Sequence, residues 1–408
     1  MNATRKVVAS GIITGIVACL AVWLWLRAGR SAAHSELSAV NDALAASATP
    51  ALPLSGAGIR RTRSAPQTAP PGGGVVEICG AGKVPLAADD PDGLQYVATR
   101  ATRDGDRWVR ALSASSDLRA HAVGLLLTNT DQSEALASLA SQNADPALYA
   151  IALNACDRAN AAQSAACVQI SPQAWTQLDP ENAAAWLQAA RSFRVAGDTA
   201  GQRAALARAA AAHRFEDYNL SLWSYSQASI PADVGAAAWN YHAGTVVGIE
   251  AASGVSSHLE ASKYCSRDAV SDALVAGQCR ALADLLDAQG NSLIDLVFAR
   301  SIGARAGWSQ ERVDRAARYL DALQAALDGV EPGIGASRWS CGGVLASNAY
   351  LRDMSTRGGE VPALRDRLEQ SGESVRELAQ QHRQYMDKVM RQVQAASPDI
   401  EEAKSDAK

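Results

Sequence analysis

Six cysteines, Cys79, Cys156, Cys167, Cys265, Cys279 and Cys341, form an even set once Cys19 near the N-terminus is set apart. An even set is suited to disulfide formation, although the count alone leaves many pairings open. Cys156 and Cys167 are the first candidate pair, because the polar, Ala-rich residues 157–166 fit a turn between antiparallel helices. Cys265 precedes a helix expected from about Asp268, and Cys279 lies inside it, so their union requires the loop to fold back. Cys79 in Cys79-Gly80-Ala81-Gly82 and Cys341 in Cys341-Gly342-Gly343 remain, in glycine-rich loops, as a long-range clasp. Disulfides persist in oxidising compartments, which points to a periplasmic body. Six unpaired thiols buried as small apolar side chains are the alternative.

Other chemistry finds little support. His34, His121, His213, His242, His258 and His382 are scattered, without the C-x-x-C or H-x-x-x-H spacing of a metal site. The Gly-rich run 329–343 lacks the order of a phosphate-binding loop, and no nucleophile elbow or paired-carboxylate motif is present. The sequence therefore assigns no catalytic residue, no metal ligand and no cofactor. An enzyme whose site assembles from distant residues stays open, as does a purely structural spacer. A net charge of -4 and a pI near 5.9 leave no basic surplus for phosphates, so nucleic acid is not an expected partner.

The elements that would position these residues are expected to be helical. The chain has 408 residues, 48% of them hydrophobic, but with only three Phe and four Met that share rests largely on Ala, a strong helix former. Asp90-Pro91, Asp145-Pro146, Ser171-Pro172 and Asp179-Pro180 each place a capping side chain before a proline that has no N–H to waste, an order that starts helices. No alternating strand pattern stands out. Trp108, Trp175, Trp186, Trp223, Trp239, Trp308 and Trp339 are expected to fill gaps between Ala-rich helices.

Residues 7–26 are all apolar or small, about the length that spans a hydrocarbon core, with Trp23 and Trp25 at the exit. They predict an N-terminal transmembrane helix, retained because a cleaved signal has a shorter apolar core. Gly11, Gly15 and Cys19 form a small-xxx-small stripe that would let two such helices approach as a homodimer contact. Ile16-Val17-Ala18-Cys19 also resembles the lipobox of bacterial lipoproteins, which implies lipidation of Cys19, but residues 20–26 stay apolar beyond it. Arg5 and Lys6 on one side are matched by Arg27 and Arg30 on the other, so charge leaves a cytoplasmic body open and the cysteines favour the periplasm.

The chain divides into a tail and anchor over 1–30, a juxtamembrane segment and Pro/Gly-rich disordered linker over 31–74, a helical body over 75–356, an amphipathic helix over 357–396 and a disordered tail over 397–408. Within the body, Leu178-Asp179-Pro180-Glu181-Asn182 followed by Trp186, Ala190, Phe193, Gly197-Asp198, Leu206 and Ala209 resembles one tetratricopeptide repeat with the tail of its predecessor. Gln202 replaces the family's usual small residue, and the resemblance covers about a twelfth of the chain, whereas a solenoid needs roughly three stacked units. It implies an α-α superhelix, with an irregular helical body as the alternative. Val361, Leu364, Leu368, Ser371, Val375, Leu378, His382, Tyr385 and Val389 trace a heptad seam for either a second copy or the chain's own body. The combined expectation is an all-α, single-pass inner-membrane protein whose periplasmic body binds or scaffolds another protein of the cell envelope.

Overall fold

The computed structural model describes residues 74–86, 90, 93–128, 131–158, 164–253, 255–328 and 339–396. Residues 7–26, and with them Gly11, Gly15 and Cys19, lie outside these residues, as do most of the expected linker and the tail from 397. Among the described residues no helix is long and apolar enough to cross a membrane. The transmembrane helix of the expected fold is therefore not supported. The helix Leu94–Ser113, for example, is amphipathic: it carries Arg100, Arg103, Asp104, Arg107 and Arg110 while burying Val97, Ala101, Trp108 and Leu112.

The expectation of no strand is also corrected, because the described residues begin with an antiparallel hairpin of β1 (Val75–Ile78) and β2 (Gly82–Pro85). Gly80 and Gly82 turn it at positive φ, a conformation that costs glycine little. Ile78, Val84 and Leu86 then face a small core completed by Val97 of α1 (Leu94–Ser113), Ala237, Trp339 and Val344. The Cys79 N–H donates to the Trp339 carbonyl at 2.8 Å.

The other named elements among the described residues are helices. α2 (Leu118–Leu126) packs on α1, and α3 (Ser133–Gln142) packs on α4 (Pro146–Arg158). α5 (Pro172–Leu178), α6 (Ala183–Val195) and α7 (Thr199–Ala210) follow, then the short α8 (Leu222–Ser226) and the long α9 (Ala236–Ser253). α10 (Ser256–Tyr264) returns to α6, while α11 (Ala273–Gln289), α12 (Leu293–Arg305) and α13 (Gln310–Asp328) pack in succession. α14 (Cys341–Arg357), α15 (Glu360–Ser371) and α16 (Val375–Ala396) close the chain, α14 lying against α9. One continuous apolar core runs through this body, with Trp108, Trp175 and Trp223 fully buried among leucines and alanines.

Asp90 accepts the Gln95 and Tyr96 N–H groups at 2.9 Å at the start of α1, and two further Pro-preceding caps form as their spacing predicts. Asp145 Oδ1 accepts the Ala147 N–H at 2.8 Å to start α4, and Ser171 Oγ accepts the Ala174 N–H at 3.2 Å to start α5. Asp179 does not cap α6; Asn182 takes that role, its Oδ1 accepting the Ala184 N–H at 3.1 Å. The heptad seam does not form one helix either, because Gly372 at φ 70° ends α15 before α16 begins. Leu364 and Leu368 of α15 and Leu378, Ala379 and His382 of α16 are buried in the chain's own body, α16 resting along α13.

Candidate functional site

The α4 helix and the 3-10 turn Cys167–Gln169 face α5 and α6 across a half-open cleft of about 410 Å³. The sequence folds this way because Cys156, near the end of α4, and Cys167 are joined by a disulfide with Cα atoms 5.7 Å apart, and both cysteines line the cleft. Val168 on the turn and Val195 at the end of α6 also line it, 71% and 75% exposed. Aliphatic side chains that exposed gain nothing from the fold itself.

Ala150, Leu153, Ile170 and Pro172 supply an apolar part of the lining, and beside them lies a polar floor that is largely uncharged. Asn154 of α4 donates to Asn219 Oδ1 at 3.2 Å, and the Asn219 amide donates to Asp217 Oδ1 at 3.1 Å. Gln188 of α6 donates to the Ser256 and Ser257 hydroxyls at the start of α10. Burial pushes the Asp217 carboxyl above the usual carboxylate range, with His258 opposing. Arg191 and Asp157, also on the cleft, pair with each other at 2.9 Å. Trp175 of α5 lines the cleft with 2% of its surface exposed, and its buried Nε1–H has no hydrogen-bond partner among the described residues. A buried donor left in that state costs about 1–3 kcal/mol.

Directly under this floor lies a buried polar seam. His258 Nε2 and Asp295 Oδ1 are 2.6 Å apart at essentially zero exposure, the imidazole set between the Phe215 and Phe298 rings. Asp295 also accepts the Asn291 and Ser292 N–H groups at 2.8 Å and closes a capping box at the start of α12. Asp179 is drawn into the same region: its carboxylate accepts from the Arg214 guanidinium, from Tyr218 Oη at 3.0 Å and from Asn182 at 2.8 Å. This is why it is lost to capping, since a guanidinium outbids a peptide N–H for a buried carboxylate. A His–Asp pair sealed from solvent positions α10 against α12; it offers no reacting group to a substrate.

The other residues singled out by type fall elsewhere. Cys79 is bonded to Cys341, Cα atoms 4.5 Å apart, which pins the hairpin to the start of α14. Cys265, capping α10, is bonded to Cys279 of α11 with Cα atoms 5.6 Å apart, the connection folding back through the turn Ala269–Ser271. Among the described residues no group of His, Cys, Asp and Glu is arranged to hold a metal ion. In the repeat-like pair, Ala190, Leu206 and Ala209 are buried between α6 and α7, and Gly197 makes the turn at φ 75°. Trp186 and Phe193 are half-buried, and the Trp186 indole donates to the Pro180 carbonyl at 2.7 Å. His242 packs on Trp108 with ring centroids 5.3 Å apart.

No family model matches this chain, and no curated protein or solved structure is detectably similar to it. The cleft must be read from its own residues. Sequence reasoning took Trp175 as core filling, which its burial bears out, and passed over Gln188, Asp217 and Asn219 because they come from separate segments; only the Cys156–Cys167 pair marked the place.

Proposed function

We propose that this chain is a binding module for a protein partner, working in an oxidising compartment such as a periplasm. The observation that carries the reading is the cleft itself: a polar floor, a rim of exposed Val168 and Val195, and a wall covalently fixed by Cys156–Cys167. Exposed aliphatic side chains flanking satisfied polar groups are the pattern of a surface that a partner completes. The close packing of α6 and α7 through Ala190, Leu206 and Ala209 supports reading them as one tetratricopeptide-like unit, a scaffold that presents such surfaces.

The test is a photo-crosslinking side chain introduced at Val168, at Val195 or, as a control, at the exposed Leu345 of α14, in cells that express the full chain. The expected result is the same discrete product from both rim positions and none from Leu345. Products that are absent, or the same at all three positions, defeat the reading.

A further inference from the structure

We infer that the cleft takes an extended, uncharged stretch of polypeptide, with one aliphatic side chain seated between Val168 and Val195 and backbone amides paired to the amide and indole groups of the floor. This rests on the binding reading above and adds the chemistry of what is bound.

The first argument is charge. On the cleft, Arg191 and Asp157 already neutralise each other. The Asp217 carboxyl is 5% exposed and holds the Asn219 amide. A charged ligand group would lose hydration here without gaining a free counter-charge, which is costly. The second is the donor and acceptor inventory. Asn154, Gln188 and Asn219 each carry an amide, Ser192 and Ser256 add hydroxyls, and Trp175 adds a donor. An extended backbone offers one N–H and one C=O per residue at about 3.3 Å intervals, with side chains alternating between faces. A helix has already paired these groups internally, so it would leave the floor unused.

The third argument is the orphan indole. The side-chain amides of Asn154, Gln188 and Asn219 each donate within the protein, whereas Trp175 Nε1–H does not. A ligand carbonyl supplies the missing acceptor and relieves a cost the free protein carries. N-acetylated sugars also present amides, but their recognition leans on an exposed aromatic face, and Trp175 and Tyr218 are 2% and 8% exposed.

The experiment follows indole N–H resonances of the full, oxidised chain labelled at tryptophan. The probe is the blocked tripeptide acetyl-Ala-Leu-Ala-amide, compared with versions carrying Asp or Lys in place of Leu and with N-acetylglucosamine. Trp175→Phe identifies the resonance by its loss. The expected outcome is a saturable shift of the Trp175 signal with the Leu peptide alone. Trp175→Phe should weaken that binding roughly two- to tenfold, the worth of one hydrogen bond. Val195→Ser, at a position three-quarters exposed and so of little weight in the fold, should weaken it as well. A stronger response to the charged peptides or the sugar overturns the inference, as does a Trp175 signal unmoved at the highest soluble peptide concentration. If the probes fail while Val168 and Val195 still crosslink one partner, this chemistry is wrong and the binding reading stands. If the crosslinks fail too, both fall.

Discussion

The hairpin core is built from Ile78, Val84, Leu86, Val97 and Val344 around Trp339, whereas the region of the cleft is built from Asn154, Gln188, Asp217 and Asn219 above His258 and Asp295. The first uses burial that is not directional, so it can hold a segment down without fixing any side chain for a task. It is also small, and two strands of four residues are marginal alone. A disulfide spanning most of the body compensates. The second region uses directional bonds, each of which fixes an atom, and it opens to solvent at the rim of Val168 and Val195. One region is built to stay closed and the other to receive something.

The largest effect expected from this contrast is the loss of the clasp. Cys79 and Cys341 are separated by 262 positions and Cys156 and Cys167 by 11. Chain-entropy reasoning assigns the longer closure about 5–6 kcal/mol and the shorter about 3 kcal/mol. Replacing both Cys79 and Cys341 with Ser should therefore lower unfolding stability in urea by more than replacing Cys156 and Cys167. The shorter pair should instead show its loss at the cleft, as weaker crosslinking from Val168. Equal stability losses with unchanged crosslinking would erase the distinction between clasp and wall.

The second effect concerns α9, which joins the regions: Ala237 lies in the hairpin core, and Glu250 accepts the Trp223 N–H at 2.7 Å in the main one. Burial, with help from Glu360, pushes the Glu250 carboxyl up to about 8, while burial pushes His242 down to about 4. Glu250 holds its proton more tightly folded than unfolded, so its contribution is full below pH 4.5 and is lost as pH rises to 8, roughly 5 kcal/mol in all. His242 binds its proton less tightly folded, so stability falls by roughly 3 kcal/mol as pH drops from 6.5 to 4. The two slopes oppose each other between about 4.5 and 6.5, and Glu250 alone acts above that. Urea denaturation should find the native chain losing about 2 kcal/mol from pH 6.5 to 8 through this group. Glu250→Gln keeps a neutral acceptor and should flatten that limb. An unchanged pH profile would remove Glu250 from its buried place on α9.

How far these regions could be read in advance follows from how local their causes are. The starts of α4 and α5 were legible because Asp145 and Ser171 cap N–H groups two or three residues away. The Cys156–Cys167 turn was legible for the same reason. Asp179 has an identical Asp-Pro signature but is claimed by Arg214 and Tyr218, more than thirty residues on, which no local pattern announces. The hairpin did carry a signal: Val76 and Ile78 before the glycines and Val84 and Leu86 after them alternate as strands do, but the glycines alone suggested a loop. The heptads are periodic in sequence, yet Gly372 resets the helix, and both halves bury on the chain itself. Beyond its Cys156–Cys167 wall the cleft left no such trace, because its floor is gathered from positions 154 to 256 by folding.

A smaller loss tests whether the seam under the cleft is held by direction. Asp295→Ala removes the acceptor of His258 and of two backbone N–H groups at essentially zero exposure, which should cost about 3–5 kcal/mol. Replacing His258 by Phe at the same time removes the orphaned donor and should restore part of it, since Phe215 and Phe298 already offer ring neighbours. If the double variant is no more stable than Asp295→Ala, the His258 bond is not what sets the cost, and the backbone caps are.

The smallest expected change in stability is the most direct test of the contrast. Val97 and Val195 are both valines on helices, 2% exposed in the hairpin core and three-quarters exposed at the cleft rim. Serine at Val97 gives up the burial of an aliphatic side chain and leaves a hydroxyl in an apolar site, a loss of about 2–3 kcal/mol. Serine at Val195 gives up almost no burial and should leave unfolding stability within about 0.5 kcal/mol of the native chain. If the rim exists for a partner, that same harmless change must weaken capture of the partner, whereas Val97→Ser must leave capture intact in the molecules that remain folded. A Val195→Ser chain that is as stable and binds as well as the original would mean that the exposed valine serves neither the fold nor a ligand, and the division between a closed region and a receiving one would have lost its rim.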